Sequence, residues 1–361
     1  MEPNVYTVVM AGGRGERFWP KSRISTPKQL LAIVTENTMI QETVQRVSAI
    51  SLTKNVLIIT NKSQQEQIER LLPQLNAENI VGEPCGRNTA PCIALAAASI
   101  AHHDPEAVMI VLPADHVIHD TVGFAATIQD MVTLARTEDV LLTIGIDPMF
   151  PATGYGYIHC GQKLPNETGT EFFTVNSFKE KPAIETAQQF VSSGEYLWNS
   201  GMFVWRVSVF ADALKKHMPD LFKFFQKLVD AFGRDDSENF IESIYAALPS
   251  VSIDYGIMEK AERVICAKSR FDWDDVGAWD AVAKHFDRDE DGNVCQGESV
   301  GVDMQDCLIV SDDKLVAGIG IKDLIVVATD DAVLICDKNR AQDVKKIVQC
   351  LDADVKKRKY L

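Results

Sequence analysis

The sequence lacks an uncharged apolar run long enough to span a bilayer. It also lacks the basic start and apolar stretch of a secretory leader, opening Met1-Glu2-Pro3-Asn4. These absences give the expectation of a cytoplasmic protein with no membrane partner. Positive charge is in deficit as well. The formal net charge is −15, which argues against nucleic acid or an anionic lipid surface as the partner. The eight cysteines (Cys85, Cys92, Cys160, Cys266, Cys295, Cys307, Cys336, Cys350) form no CxxC pair, so zinc and thioredoxin-like readings are weak. Dispersed thiols fit a reducing compartment, where they serve as small apolar side chains. His116 reads as structural, and no histidine spacing suggests a metal site or a catalytic dyad.

What remains is an ordinary globular composition, 46% hydrophobic and 24% charged over 361 residues, long enough for a large domain plus a smaller one. In the first half, strands at 5–10, 56–60, 108–112 and 140–144 alternate with helices at 39–50, 63–72, 89–101 and 124–136. Short apolar strands separated by helices predict a Rossmann-like α/β fold, a mixed but mostly parallel sheet with helices on both faces. Ligands of such sheets bind beyond the carboxyl ends of the strands, so the loops after Met10 and Leu112 should meet at one crevice. From Pro151 the pattern loosens into hairpin-like pieces at 155–159 and 172–178 and helices at 184–192, 209–217 and 221–232, which read as an insertion over that crevice. Asp287–Gly292 (DRDEDG) reads as a linker. The expected division is a catalytic domain over 1–286 and a small C-terminal β-rich domain with a terminal helix over 287–361. The basic tail at 356–359 reads as a solvated helix end.

The first strand runs into Ala11-Gly12-Gly13-Arg14-Gly15-Glu16-Arg17. Glycines bring backbone N–H groups close to a phosphate, and Arg14, Arg17 and then Lys28 add cationic donors. A dinucleotide fingerprint fails because the position after Gly13-x-Gly15 that should be small is Phe18. A Walker loop fails because Gly-Lys-Ser/Thr is absent. A triphosphate loop remains.

The segment AGGRGERFWPKSRISTPKQ at 11–29 resembles the signature of the sugar-phosphate nucleotidyltransferases, and its Phe18-Trp19-Pro20 resembles their mannose-1-phosphate guanylyltransferase branch. GEPCGRNTAP (82–91), LPADH (112–116), GYGYI (154–158), EKP (180–182), WNSGMF (198–203), DYGIMEK (254–260) and DWDDVGAW (272–279) follow in family order. The resemblance implies GTP and mannose 1-phosphate as substrates, GDP-mannose and diphosphate as products, and magnesium as cofactor. Alternatives within it are another base or sugar 1-phosphate such as glucose 1-phosphate, or a non-catalytic regulatory paralogue. Some family members carry a C-terminal phosphomannose isomerase domain, for which a chain closing at Leu361 is expected to have no room.

Joining two phosphorylated substrates demands orientation and neutralisation of negative charge rather than covalent chemistry. Matching positions assign Asp115 and Asp275 as the metal pair, with Asp274 the weaker candidate. From spacing alone these aspartates serve equally well as helix caps. Arg14 and Lys28 are assigned to the triphosphate. Lys181, which by itself would read as an exposed loop lysine, is assigned to the sugar phosphate. The nucleotide set is Gly12, Gly13, Arg14, Gly15, Arg17, Glu83, Asn88, Thr89 and Asp115, with Glu83 or Asn88 accepting from the guanine edge. Asn88 or Thr89 also fits a helix cap. The sugar set is Gly154, Tyr155, Glu180, Lys181, Asn199 and Asp254. Trp198, Trp273 and Trp279 are candidates for stacking, although core packing is expected for at least two. The resemblance also implies that the C-terminal region is a short β-helix-like tail that takes part in association. A homodimer is expected, because a C-terminal region of this size must share its apolar face.

Overall fold

The computed structural model describes residues 4–234 and 236–361. Met1–Pro3, used above in reading the N-terminus, lie outside the described residues. The chain divides into two compact units that do not follow sequence order. Described residues of 1–12, 43–114 and 118–273 form the first, and 13–42, 115–117 and 274–361 form the second.

The first unit is built on β1 (Val5–Ala11), β2 (Val56–Asn61), β3 (Ile80–Glu83), β4 (Val108–Pro113), β5 (Leu141–Ile146), β6 (Gly156–Leu164), β7 (Phe172–Glu180), β8 (Tyr196–Arg206) and β9 (Val264–Lys268). They form one sheet in the order β3-β2-β1-β4-β8-β5-β9-β7-β6. Strands β3, β2, β1 and β4 run parallel. The successive residues Val108–Leu112 of β4 are all buried. A strand buried on both faces has no polar alternation, hence its unbroken apolar sequence. The helix Thr89–His103 is rich in alanine, buried along most of its length, and packs on β1 and β2. The helix Thr121–Thr137 packs on β4, β5 and β8. Its start is capped by Asp120, which accepts from the Gly123 amide at 2.8 Å.

The region after Pro151 is not an insertion over the sheet but a continuation of it. Strands β6 and β7 pair antiparallel, β9 runs parallel to β5, and β8 lies between β4 and β5, antiparallel to both. The WNSGMF motif is thus the middle of a central strand.

In the second unit, β10 (Val294–Gln296), β12 (Leu308–Ser311) and β14 (Leu324–Ala328) stack in parallel, and β15 (Val333–Asp337) closes that sheet antiparallel. β11 (Ser299–Val302) and β13 (Val316–Ile319) stack in parallel beside them. These are successive coils of a short β-helix. Ser299 pairs with Val316 and Leu308 with Ile325, so SVGVDMQDCLIV repeats as VAGIGIKDLIVV. Equivalent corners take the left-handed conformation: φ is 80° at Gly292, 51° at Asp306 and 54° at Asp323. Glycine and, less readily, aspartate tolerate that region, which explains the Asp/Gly punctuation of this stretch.

The coils share one hydrophobic core with the N-terminal loop. Phe18, Trp19 and Ile33 pack together with Val276, Trp279, Leu308, Ile325, Leu334 and Val344. The Trp19 indole donates to the Tyr360 carbonyl at 2.9 Å, and the Trp279 indole donates to the Trp19 carbonyl at 3.0 Å. Arg23 adds a bond to the same Tyr360 carbonyl and an ion pair with Asp331. The C-terminal region therefore covers its apolar face, at least in part, with the glycine-rich loop segment of its own chain.

Candidate functional site

Within the second unit a cavity of about 460 Å³ is lined by Arg14, Gly15, Glu16, Arg17, Phe18, Lys28, Asp115, His116, Asp275, Gly277 and Lys345. Lys28 organises it. Its side chain is buried, and its ammonium donates to the Asp115 carboxylate at 2.9 Å, the Asp115 carbonyl at 2.9 Å and the Asp275 carbonyl at 2.6 Å. An ammonium has three donors, and all three are used. Gly15 makes this possible. It is left-handed, with φ 62°, and a Cβ there would lie 2.4 Å from the Lys28 Cβ. Any larger residue would push Lys28 out of place.

Burial alone would raise the Asp115 carboxyl, but Lys28, His116 and the hydrogen bonds outweigh it and hold it below the ordinary carboxylate range. Asp115 is thus an anion at neutral pH. Asp274 behaves differently from its neighbour. One of its oxygens accepts from the Val276 amide at 2.7 Å and the other faces His285 at 3.5 Å, so it braces the turn. Val276, between Asp275 and Gly277, has φ 42°. A β-branched residue in that region is strained, a feature that clusters at functional sites. Arg14 is largely exposed and lies 3.6 Å from Glu16. The Arg17 Nε is buried without a hydrogen-bond partner among the described residues. His116 lines the cavity too, which the structural reading of that residue did not anticipate.

The remaining candidates lie in the first unit. Glu83 is buried at the end of β3 and accepts a hydrogen bond from Tyr245. A Cβ on Gly12 would sit 3.5 Å from its other oxygen, so this glycine leaves a narrow approach to the carboxyl. Burial pushes the Glu83 pKa up to about 7 despite the opposing Tyr245 bond. Asn88, at φ 68°, caps the helix that follows by accepting from the Thr89 amide at 2.8 Å. The Thr89 hydroxyl accepts from the Ile253 amide at 2.8 Å. Both residues therefore have structural tasks.

Asn199 is fixed at both ends of its amide. Its oxygen meets the Thr143 hydroxyl at 3.2 Å and the Gly201 amide at 3.3 Å, and its nitrogen donates to Asp254 at 2.8 Å. Burial raises the Asp254 carboxyl above its usual range, with Asn199 opposing and Glu180 adding to the rise. Lys181 pairs with Glu180 at 2.8 Å and is well exposed, on a residue at φ 45°. Tyr155 meets Trp198 edge-on at 5.1 Å and Trp273 at 5.4 Å. Trp198 is buried beneath this group, while Trp279 packs against Phe18 in a tilted contact at 5.2 Å in the core of the second unit. Of the three tryptophans only Trp273 is partly open. A Cβ on Gly154 would meet nothing within 4 Å. Two residues escaped the sequence reading. Tyr245 ends a helix, Ser237–Tyr245, that carried no motif, and Lys345 lies in a region without catalytic motifs.

The chain matches the nucleotidyl transferase family model over residues 6–292 and the mannose-phosphate isomerase/GMP-like β-helix model over residues 297–351. The chain belongs to the nucleotidyl transferase family. It is 41% identical to a mannose-1-phosphate guanylyltransferase of Escherichia coli K12, over 98% of this chain and 74% of that relative. It is equally 41% identical to one of Klebsiella pneumoniae, over 95% and 73%. A Thermus thermophilus crystal structure, described as a mannose-1-phosphate geranyltransferase, superposes with a TM-score of 0.85 at 33% identity, covering 98% of this chain and all (100%) of that one.

Proposed function

We propose that this protein is a mannose-1-phosphate guanylyltransferase, converting GTP and mannose 1-phosphate to GDP-mannose and diphosphate. The observation that carries this reading is the cavity that brings Arg14, Arg17 and Lys28 together with Asp115 and Asp275, residues from three separated family motifs. A phosphate oxygen of mannose 1-phosphate attacks the α-phosphorus of GTP in line. A new P–O bond forms there as the bond to the β-phosphate oxygen breaks. The electron pair leaves with diphosphate, and the nucleophile is already an anion, so no general base is required. Arg14, Arg17 and the loop amides of Gly12, Gly13 and Gly15 hold the triphosphate. Lys28 acts chiefly through Asp115 and Asp275, because its donors are committed. Lys181 receives the sugar phosphate, and Asn199, Asp254, Glu180, Gly154 and Tyr155 receive the mannose hydroxyls. Glu83 accepts from the guanine edge, with Asn88 and Thr89 shaping the turn beside it.

Nucleotidyl transferases generally use a divalent metal ion. The donor set suits magnesium, which takes one or two carboxylates and fills its shell with phosphate oxygens and water. Asp115 is kept ionised, one of its oxygens remains clear of Lys28, and Asp275 lines the same cavity. Magnesium held there would supply neutralisation of phosphate charge.

No helix among the described residues is long and apolar enough to cross a membrane. A cytoplasmic homodimer is the assembly we propose, with residues 1–286 bearing most of the chemistry and 287–361 supplying the contact. The β-helix exposes Val302 (54%), Ile319 (77%) and Ile335 (68%), apolar side chains that association would cover. The test is a matrix of nucleoside triphosphates against sugar 1-phosphates with magnesium, read as diphosphate release. GTP with mannose 1-phosphate should be the best pair. Preference for another pair, or no release with any, overturns the reading.

A further inference from the structure

The cavity around Lys28 contains one cation that comes from no nucleotidyltransferase motif. Lys345 stands in the first turn of the C-terminal helix Val344–Ala353. Three observations set it apart from an ordinary surface lysine.

The first is placement. Val348, Gln349 and Asp352 line a second cavity together with Arg14, Glu16 and Trp19. With Lys345 these residues fall at i, i+3, i+4 and i+7, a single helix face. That face lies along the loop segment of Arg14 and Glu16, and Lys345 at its start lines the Lys28 cavity that Arg14 also lines.

The second is charge balance. Lys28 is offset by Asp115, and Arg14 lies near Glu16. On the helix itself Lys346 pairs with Asp343 at 2.7 Å. Lys345 is exposed and has no ion pair or hydrogen bond among the described residues. The third is the helix start. Its first turn has no acidic residue, and the Asp343 carboxylate at its N-cap is taken by Arg340 and Lys346.

We propose that Lys345 is a substrate-binding residue for the β- and γ-phosphates of the triphosphate, and so for the diphosphate that leaves. The inference rests on the guanylyltransferase reading for the identity of its ligand. The C-terminal region would thereby complete the phosphate site as well as pack against its loop. A flexible ammonium with free donors suits a group that must be gripped and then released.

Calorimetry with inorganic diphosphate, and separately with GTP, on the full-length protein and on Lys345→Ala and Lys345→Arg decides the matter. A lost charge-assisted hydrogen bond should weaken both ligands about tenfold in the alanine variant. Mannose 1-phosphate binding should stay within about twofold, and arginine should restore most of the loss. Unchanged diphosphate affinity in Lys345→Ala overturns the proposal, as does a wild type that binds no diphosphate. Equal weakening of mannose 1-phosphate also overturns it, since that marks a general disturbance. Binding is measured without turnover, so these results stand apart from the activity matrix.

Discussion

The two compact units treat the carboxylates of the candidate site in opposite ways. In the second, Asp115 and Asp274 are held below the usual range by cations and amides although burial pulls the other way. In the first, Glu83 and Asp254 are raised because burial prevails over the hydrogen bonds they accept. Environment assigns the roles. A carboxylate kept ionised beside cations suits a metal and phosphates. A carboxyl raised by burial suits a site where a ligand's donors, from the edge of a base or the hydroxyls of a sugar, pair with the ionised form, because an unpaired buried charge is costly.

Removing residues after Phe286 is the most severe way to break this contrast. From sequence, that region holds no catalytic motif, and its loss is expected to expose apolar surface and give a monomeric or aggregating protein, with some activity left if the fold survives. The shared core sharpens that expectation. Phe18, Trp19 and Trp279 would lose Leu308, Ile325 and Val344 as neighbours, and Trp19 would lose its bond to Tyr360. The truncated protein should aggregate or lose turnover entirely, measured by light scattering and diphosphate release. A soluble truncation with near-normal turnover would show that the loop holds its shape alone. Asp275→Asn should come next, with turnover falling roughly 10²-fold or more at saturating magnesium, as when a main electrostatic stabiliser is lost. Near-normal turnover would remove Asp275 from the site.

The legible part of this architecture was the part with a period or a motif. The buried parallel strands β1, β2 and β4 announced themselves as apolar runs, and the helix at 89 by its alanines. Strand β8 did not, because Asn199, Ser200 and Gly201 interrupt its apolar pattern. Asn199 is a candidate sugar residue, so the central strand read as a ligand motif. The β-helix was legible through the family resemblance but not through periodicity. Its coils are unequal, with Val294 above Leu308 and Leu308 above Ile325 at different offsets, so the repeat that joins 299–310 to 316–327 does not extend to the first coil. The partnership of Lys28 with Asp115 and Asp275 joins three distant segments, and no local signal specifies such a contact. Lys345 was invisible because a lysine in an amphipathic helix ordinarily reads as solvated.

Smaller changes sharpen the division of labour between substrates. Arg14→Ala should raise the KM for GTP about tenfold with little effect on mannose 1-phosphate, the scale of one charge-assisted bond. Lys181→Ala should do the reverse. Both residues are exposed, so neither change should disturb folding, which thermal unfolding checks. If Lys181→Ala leaves mannose 1-phosphate affinity and turnover unchanged, that lysine does not receive the sugar phosphate.

The finest test lies in the pH dependence of Glu83. Its folded pKa of about 7 lies above the ordinary 4.5, so the folded chain keeps a proton that the unfolded chain releases. The resulting stability is fully present below about pH 4.5 and is lost as pH rises through about 7. The full span is on the order of 3 kcal/mol. Glu83→Gln keeps the shape, cannot ionise, and still accepts from the Tyr245 hydroxyl, with Cys92 the other titratable group coupled to it. Urea midpoints at about pH 5 and pH 8 should therefore fall more steeply for the wild type than for the variant. The same titration should reach the base. Guanine presents N–H donors and needs the ionised acceptor, so the wild-type KM for GTP should fall as pH rises through about 7. The glutamine variant should bind GTP about tenfold more weakly, with a flatter profile over that range. Parallel stability slopes in the two proteins would show that burial does not hold the Glu83 proton, and the contrast between the two sets of carboxylates would lose its first-unit half.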